Sequence, residues 1–362
     1  MKIALVITEL DPGGAERNLV KLATGFTRLG HEVTVISIGP VPKKRTLPLT
    51  LERAGVAVVY LNCRSIWYFF IAVIKLRSLL RRINPDVIQS FLYHANILTS
   101  ISNAYGIPHY VGLRVRDPRE SRYLRLARYS SRWSGIICVS TDVEDHVRPF
   151  FDDACAPIYT IGNGGDTIAV KEAAMKEWPS DLPQPEESLV FIGRLDRQKG
   201  IQTLLAAVPE LLDDFPKRQL FVIGDGPLKQ EIEGAIDKLD SKQRIHVTGY
   251  RDDALTILAR ATLFVFPSHW EGMPNVIMEA MALGIPICSN PVDGVVELLG
   301  NESRQIHDRD CWAMAASAML GMDPEQLQSI GAINSSVIES KFTIDKMVDQ
   351  YLDAYKRDNG HV

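Results

Sequence analysis

The sequence predicts an α/β protein made of two doubly wound halves, each a parallel sheet flanked by helices. Three observations carry this prediction. Short β-branched runs alternate with longer helical patterns, the signature of βαβ units. A polar, proline-containing stretch interrupts the alternation at mid-chain. The chain has 362 residues, room for two domains at about 150 residues each, and its 46% apolar composition gives both a core.

Taken in order, Ile3 to Ile7 reads as a first strand, too short an apolar run for a secretory leader. A helix follows from about Gly14 to Gly30, with the glycine just past its last turn. Strands at Val33–Ile38 and Val56–Leu61, a helix around Ile66 to Arg82, and strands at Val87–Ser90 and Ile136–Val139 complete the first alternation. Ala169 to Glu187, with Pro179, Pro183 and Pro185 and no apolar period, has the composition of a linker. The second alternation places strands at Leu189–Ile192, Leu220–Ile223, Ile245–Val247, Leu263–Phe266 and Ile287–Ser289, with helices from about Ile201, Leu228 and Asn275. The expected domains are therefore 1–168 and 188–342. A last helical pattern, about Ile344 to Tyr355, has no strand after it, and the terminal segment 343–362 is free to pack back on the first domain.

Lys and Arg number 40 against 44 for Asp and Glu, a net charge of −4, so no global basic excess points to nucleic acid. The distribution is uneven: the segment from Arg64 to Arg132 carries +9 and the rest −13. Five scattered cysteines (Cys63, Cys138, Cys155, Cys288, Cys311) with no CxxC suit a reducing compartment and no structural zinc, so a cytoplasmic location is expected. The longest apolar run, Ile66 to Ile74, has nine residues where a bilayer crossing needs about 20.

Three stretches carry chemistry. Asp11-Pro12-Gly13-Gly14-Ala15-Glu16 is a glycine-rich turn opening a helix at the carboxyl edge of a strand, where backbone amides approach anions; a plain tight turn reads equally well. Gly193-Arg194-Leu195-Asp196-Arg197-Gln198-Lys199-Gly200 sets Arg194 and Lys199 between a strand and a helix, suited to clamping phosphates, although solvated loop charge has the same look. In Phe266-Pro267-Ser268-His269-Trp270-Glu271-Gly272-Met273-Pro274-Asn275-Val276-Ile277-Met278-Glu279-Ala280, Glu279 falls on an otherwise apolar helix, where burial would oblige it to find a donor such as a ligand hydroxyl. Glu271 precedes that helix, beside its free amides.

Glu271, seven residues, then Glu279 resembles the E-x7-E signature of the retaining glycosyltransferases of family 4, which have the GT-B fold, two Rossmann-like parallel-sheet domains facing across a cleft. Gly13-Gly14-Ala15-Glu16, Gly193-Arg194 to Lys199-Gly200 and Gly224-Asp225-Gly226-Pro227 fall in the family's order, so the resemblance spans nearly the whole chain. It implies that Arg194 and Lys199 bind the diphosphate of a nucleotide sugar and stabilise it as leaving group. It implies that Glu279 accepts from the ribose hydroxyls, and that Glu271, with Gly272, Met273, Asn275 and Val276, holds the donor sugar and phosphate. Gly14 would approach the diphosphate, His94 would contact the transferred sugar, and Tyr250 and Arg251 would lie at the base. Asn163-Gly164 resembles the family's turn at the end of the first domain. Where members often carry two glycines before Pro-Glu, this chain has Val292-Asp293-Gly294-Val295-Val296-Glu297. Asp308-Arg309-Asp310 spells a D-x-D metal motif by chance, late in the second domain, and no metal or other cofactor is expected.

Arg116, Arg119, Arg122, Arg125 and Arg128 recur every three residues, expected as a slowly drifting ridge on one helix whose arginines meet an anionic membrane surface or the acceptor's lipid phosphates. Ile66 to Arg82 sets Trp67, Phe69, Phe70 and Ile74 beside Lys75, Arg77, Arg81 and Arg82, a basic amphipathic pattern suited to an anionic membrane surface. The resemblance thus implies a glycosyltransferase moving a hexose or N-acetylhexosamine from a nucleotide sugar, a UDP-sugar favoured, to a saccharide acceptor on a lipid pyrophosphate. The product would be α-linked and the enzyme peripheral at the inner membrane face. The alternatives are a nucleotide-sugar 2-epimerase on the same fold and a catalytically silent scaffold subunit.

Overall fold

The computed structural model describes residues 1–63, 68–151, 156–184, 186–213, 215–300, 305–306 and 311–358. Arg64, Ile66 and Trp67 of the basic segment, Cys155, Pro185 and Asp308-Arg309-Asp310 lie outside the described residues. The chain forms two compact units, one of residues 1–164 with the helix from Ile344 onward, the other Gly165–Thr343.

The first unit runs β1 (Lys2–Ile7), α1 (Gly14–Arg28), β2 (Glu32–Ser37), α2 (Thr46–Arg53), β3 (Ala57–Tyr60), α3 (Phe69–Ile83), β4 (Val87–Phe91), α4 (Tyr93–Ser102), β5 (His109–Leu113), α5 (Glu120–Ala127), β6 (Gly135–Cys138), α6 (Thr141–Val147) and β7 (Ile158–Thr160). Its strands pair in parallel in the order β3-β2-β1-β4-β5-β6-β7. Strand periodicity divides the core: Ile3, Leu5 and Ile7 join Leu19 and Phe26 of α1 on one face, while Ala4 and Val6 join Leu76 and Leu80 of α3 on the other.

The second unit runs α7 (Thr167–Ala174), β8 (Glu187–Ile192), α8 (Ile201–Leu212), β9 (Arg218–Ile223), α9 (Lys229–Ile236), β10 (Ile245–Gly249), α10 (Ala254–Leu258), β11 (Leu263–Phe266), α11 (Asn275–Ala282), β12 (Ile287–Ser289), α12 (Val295–Leu299), α13 (Trp312–Leu320) and α14 (Pro324–Lys341). Its parallel strands lie in the order β10-β9-β8-β11-β12. The chain then returns to the first unit as α15 (Ile344–Asp358), whose Met347, Val348, Tyr351 and Tyr355 sit in the core beside α1. Tyr110 Oη donates to Ala354 O at 2.9 Å and Tyr355 Oη to Gln89 Oε1 at 3.3 Å, pinning the helix to β4 and β5.

Two expectations need correction. Ala169 to Glu187 is no linker, because most of it is fastened to the second unit. Asp166 caps α7 by accepting from the Ala169 amide at 3.0 Å, and Trp178 lies edge-on to Phe221 at 5.7 Å. The first unit accordingly ends at Gly164. The five arginines also form no single ridge: only Arg122 and Arg125 lie within α5, since Pro118 keeps Asp117 out of a helix and Arg119 is the residue before the first turn. Among the described residues the cysteines are all free.

Candidate active site

Both sheets reverse their strand order once, between β1 and β4 in the first unit and between β8 and β11 in the second. Open α/β sheets bind ligands beyond the carboxyl ends of their strands at such a point. The loop after β8 carries Arg194 and Lys199 and the loop after β11 carries Glu271, so three of the expected site residues meet at the second unit's reversal.

The two loops are clasped together. Gln198 O accepts the His269 amide at 2.8 Å and lies 3.0 Å from Ser268 Oγ, and Gln198 Nε2 donates to Trp270 O at 2.9 Å. Gly200 makes the close approach possible. It has φ +65, and a Cβ there would lie 1.8 Å from Pro267 O. Within the clasp Glu271 is buried at 6% exposure, and its Oε1 accepts from Lys199 Nζ and from Ser268 Oγ, each at 2.5 Å. Lys199 also stands 5.6 Å above the Phe266 ring. Arg194 is different: its side chain is exposed, with Nε 3.5 Å from Asp196 Oδ2. Asp196 Oδ1 accepts the Lys199 amide at 3.2 Å and so shapes the turn between the two cations.

On α11, Ile277, Met278, Ala280, Met281 and Ala282 are buried, whereas Asn275, Val276 and Glu279 are only partly so. These three occupy one open face at spacing i, i+1, i+4. Glu279 is therefore not the deeply buried carboxylate its apolar neighbours implied, since those neighbours point to the opposite side. Gly272 and Met273 are buried just ahead of the helix. Gly294, which remains where the family often has two glycines, takes φ +71 against the carbonyl of Gly272.

Beyond β10, Tyr250 is exposed. Arg251 is held by two carboxylates: its guanidinium donates to Asp253 from Nε at 2.7 Å and from Nη2 at 2.8 Å, and to Asp181 from Nη1 at 2.7 Å and from Nη2 at 3.1 Å. Sequence reasoning missed this clamp because Asp181 sits 70 residues away in the supposed linker.

The first unit's reversal holds a pocket of about 250 Å³ whose lining includes Thr8, Glu9, Tyr93, His94, Arg114 and Arg122. Leu92, just before α4, has φ +71, a strained backbone of the kind that clusters at functional sites. His94 is exposed at the start of α4; partial desolvation, with Arg122 and Arg119 nearby, holds its ring below the usual histidine range. Arg122 stands 4.7 Å over the Tyr93 ring and donates to Asp117 at 2.5 Å, while Arg119 reaches the same carboxylate at 3.2 Å. Arg116, Arg125 and Arg128 point outward. Gly14 opens α1 after β1, and buried Glu16 in the same turn is pushed up to about pKa 7 by desolvation, with Glu9 and Asp11 adding to it. Asn163 and Gly164 end the unit; Gly164 O accepts from Lys21 Nζ at 2.9 Å, and Asn163 accepts from Arg114.

Residues 12–168 match the family described as Glycosyltransferase Family 4, and residues 186–322 match Glycosyl transferases group 1. The chain belongs to the family 4 glycosyltransferases. Among its relatives is the lipopolysaccharide core biosynthesis glycosyltransferase LpsD of Rhizobium meliloti, 24% identical over 351 residues and 95% of each chain. Another is an Escherichia coli UDP-Gal:alpha-D-GlcNAc-diphosphoundecaprenol alpha-1,3-galactosyltransferase, 25% identical over 78% of each chain. Anabaena HepE, solved in complex with UDP and glucose, superposes with a TM-score of 0.82 at 19% identity, covering 99% of this chain and 100% of that one. This glycosyltransferase thus has the GT-B architecture of two Rossmann-like domains, with Glu271, Lys199, Arg194 and the open face of α11 in its second domain and Gly14 and His94 in its first. Ser268, Gln198 and Asp196, which hold the second-domain loops, were not singled out from sequence. Their signal was present only as their position inside the two motifs.

Proposed function

We propose that this glycosyltransferase is a retaining enzyme that moves a hexose or N-acetylhexosamine from a UDP-sugar to a saccharide acceptor carried on a lipid pyrophosphate, in glycan or polysaccharide biosynthesis, with an α-linked product. The observation that carries the reading is the cluster at the second unit's strand reversal, where Lys199 and Ser268 hold the first glutamate of the E-x7-E pair and Arg194, exposed beside Asp196, lies on the same loop as Lys199. HepE's complexes with UDP and the UDP-Gal donor in the E. coli relative's name support the choice of a uridine nucleotide.

In this reading Glu279, on the open face of α11 with Asn275 and Val276, accepts from the ribose. Glu271 receives a donor-sugar hydroxyl on Oε2, the oxygen that neither Lys199 nor Ser268 uses. Arg194 and Lys199 neutralise the diphosphate as its charge grows in the transition state, with the amides before α11 adding to them and no metal needed. In the first domain the family resemblance assigns His94 to the transferred sugar and Gly14 to the diphosphate, and in the second it assigns Tyr250 to the base. The bond from anomeric carbon to phosphate breaks while the bond to the acceptor oxygen forms on the same face, and the acceptor's proton passes to the leaving phosphate.

The acceptor's lipid implies docking on the cytoplasmic side of an anionic membrane. Helix α3 supports this: Phe70 is 79% and Ile74 69% exposed, and α3 carries Lys75, Arg77, Arg81 and Arg82 with no acidic residue. Among the described residues no helix is long and apolar enough to cross a membrane. Two measurements test the proposal. UDP at about 100 times its dissociation constant stabilises by roughly 2.7 kcal/mol, so the melt shifts upward, and incubation with UDP-sugars and lipid-linked saccharides yields a product whose anomeric coupling is α. The absence of both a UDP shift and a product rejects the UDP-sugar reading. In flotation assays the protein follows phosphatidylglycerol vesicles, and Phe70→Ser with Ile74→Ser releases it; equal flotation of wild type and variant rejects docking through α3.

A further inference from the structure

Ser268 is fully buried between the two clasped loops, and its Oγ lies 2.5 Å from Glu271 Oε1 and 3.0 Å from Gln198 O. A hydroxyl has one proton to give. The carboxylate is the charged and nearer acceptor, and the Gln198 carbonyl already accepts the His269 amide at 2.8 Å, so the proton goes to Glu271. Ser268 is itself anchored, since its carbonyl accepts from Asn290 Nδ2, buried beneath it, at 3.0 Å. Lys199 is the other donor to the same oxygen, but its ammonium rides on a flexible four-carbon stem and is wanted by the diphosphate.

We infer that Ser268 is the positioning residue of Glu271: it fixes Oε1 inward when Lys199 is drawn toward the diphosphate, and so keeps Oε2 turned to the donor sugar. This rests on the UDP-sugar reading given above. Ser268 touches neither nucleotide nor sugar in this arrangement, so its loss is felt in turnover and not in nucleotide affinity.

The test uses the full chain with Ser268→Ala, Ser268→Thr and Ser268→Cys. UDP binding is measured by calorimetry, and kcat and KM for hydrolysis or transfer of the UDP-sugar that wild type turns over. A hydrogen bond to a charged group is worth about 1.5–3 kcal/mol, so Ser268→Ala lowers kcat roughly 10- to 100-fold with the UDP Kd within about twofold, and Ser268→Thr recovers most of the loss. Ser268→Cys, close in volume but a weak donor, behaves like the alanine variant and serves if alanine does not fold. An unchanged kcat in the alanine and cysteine variants, or a UDP affinity that falls in step with kcat, overturns the inference while the UDP-sugar reading stands. A wild type that binds no UDP overturns that reading and this inference with it.

Discussion

Lys199 Nζ stands 2.5 Å from Glu271 Oε1, joining loops 72 residues apart in the chain. The carboxylate is buried, with side-chain exposure of 8%, and the ammonium nearly so at 20%. Removing one partner of such a pair leaves a desolvated charge. Lys199→Ala is therefore expected to cost about 2 kcal/mol in denaturant unfolding, less than a fully enclosed pair because water reaches the lysine. It also removes a cation from the proposed leaving group, and turnover should fall at least about 100-fold. Wild-type turnover in this variant would remove Lys199 from the reaction.

Gly200 permits that pairing by letting the Lys199 loop lie against the Pro267 carbonyl. In Gly200→Ala the new methyl would sit 1.8 Å from Pro267 O on a backbone of φ +65. Both the clash and the left-handed conformation are unfavourable, and together they are expected to cost about 3 kcal/mol or more. Since Gly200 sets the course of the loop that carries Arg194 and Lys199, the proposed diphosphate ligands, UDP-dependent stabilisation should disappear along with stability. A thermal melt with and without UDP reads both effects, and a variant that still gains the full UDP shift would show that the clasp is not needed for nucleotide binding.

What the sequence made legible follows its local signals. All five strands of the second sheet were readable because each is a short, β-branched or aromatic run flanked by turns. His109–Leu113 was missed: His109 and Gly112 break its apolar pattern, and it is a strand because it pairs in parallel with both β4 and β6, with His109 bonding Ser90 and the Gly112 carbonyl accepting from Asn96. Glu271, Lys199 and Arg194 were found because a motif fixes their spacing. Their supports, Ser268, Gln198 and Asp196, act through backbone carbonyls and short hydrogen bonds that composition does not reveal. The arginine periodicity misled for a related reason. A three-residue spacing promises a helical face only if the backbone is helical, and Pro118 decides that it is not.

Arg251 was expected near the base, and its guanidinium is paired with two carboxylates. With side-chain exposure of only 15%, it binds Asp253 and Asp181 and so straps the 175–183 segment to the loop after β10. Arg251→Ala should lower stability by about 1–3 kcal/mol, as expected for charged hydrogen bonds partly withdrawn from water. UDP affinity should change less than about threefold. A large loss of UDP affinity with unchanged stability would return Arg251 to the nucleotide site.

Glu16 and His109 drive stability against pH in opposite directions. Glu16, buried beside Gly13, has its carboxyl pushed up to about 7 by desolvation, from 4.5. Between those values the folded chain holds a proton that the unfolded chain has released, so this group makes stability fall as pH rises from about 4.5 to 7. His109, fully buried with Nε2 2.8 Å from Ser90 Oγ, is lowered by desolvation from 6.5 to about 3. The unfolded chain then binds the extra proton, so this group makes stability rise with pH from about 3 to 6.5. Each slope approaches roughly 1.4 kcal/mol per pH unit, and where the windows overlap the two cancel. Glu16→Gln leaves His109 alone in that overlap. Its stability should climb between pH 5 and 6 relative to wild type, and from pH 5 to pH 8 the difference in its favour should grow by about 2–3 kcal/mol, because the variant never ionises a buried carboxyl. Urea unfolding of both proteins at pH 5, 6, 7 and 8 measures the difference. Parallel curves across that range would mean that the Glu16 carboxyl titrates where an exposed glutamate does.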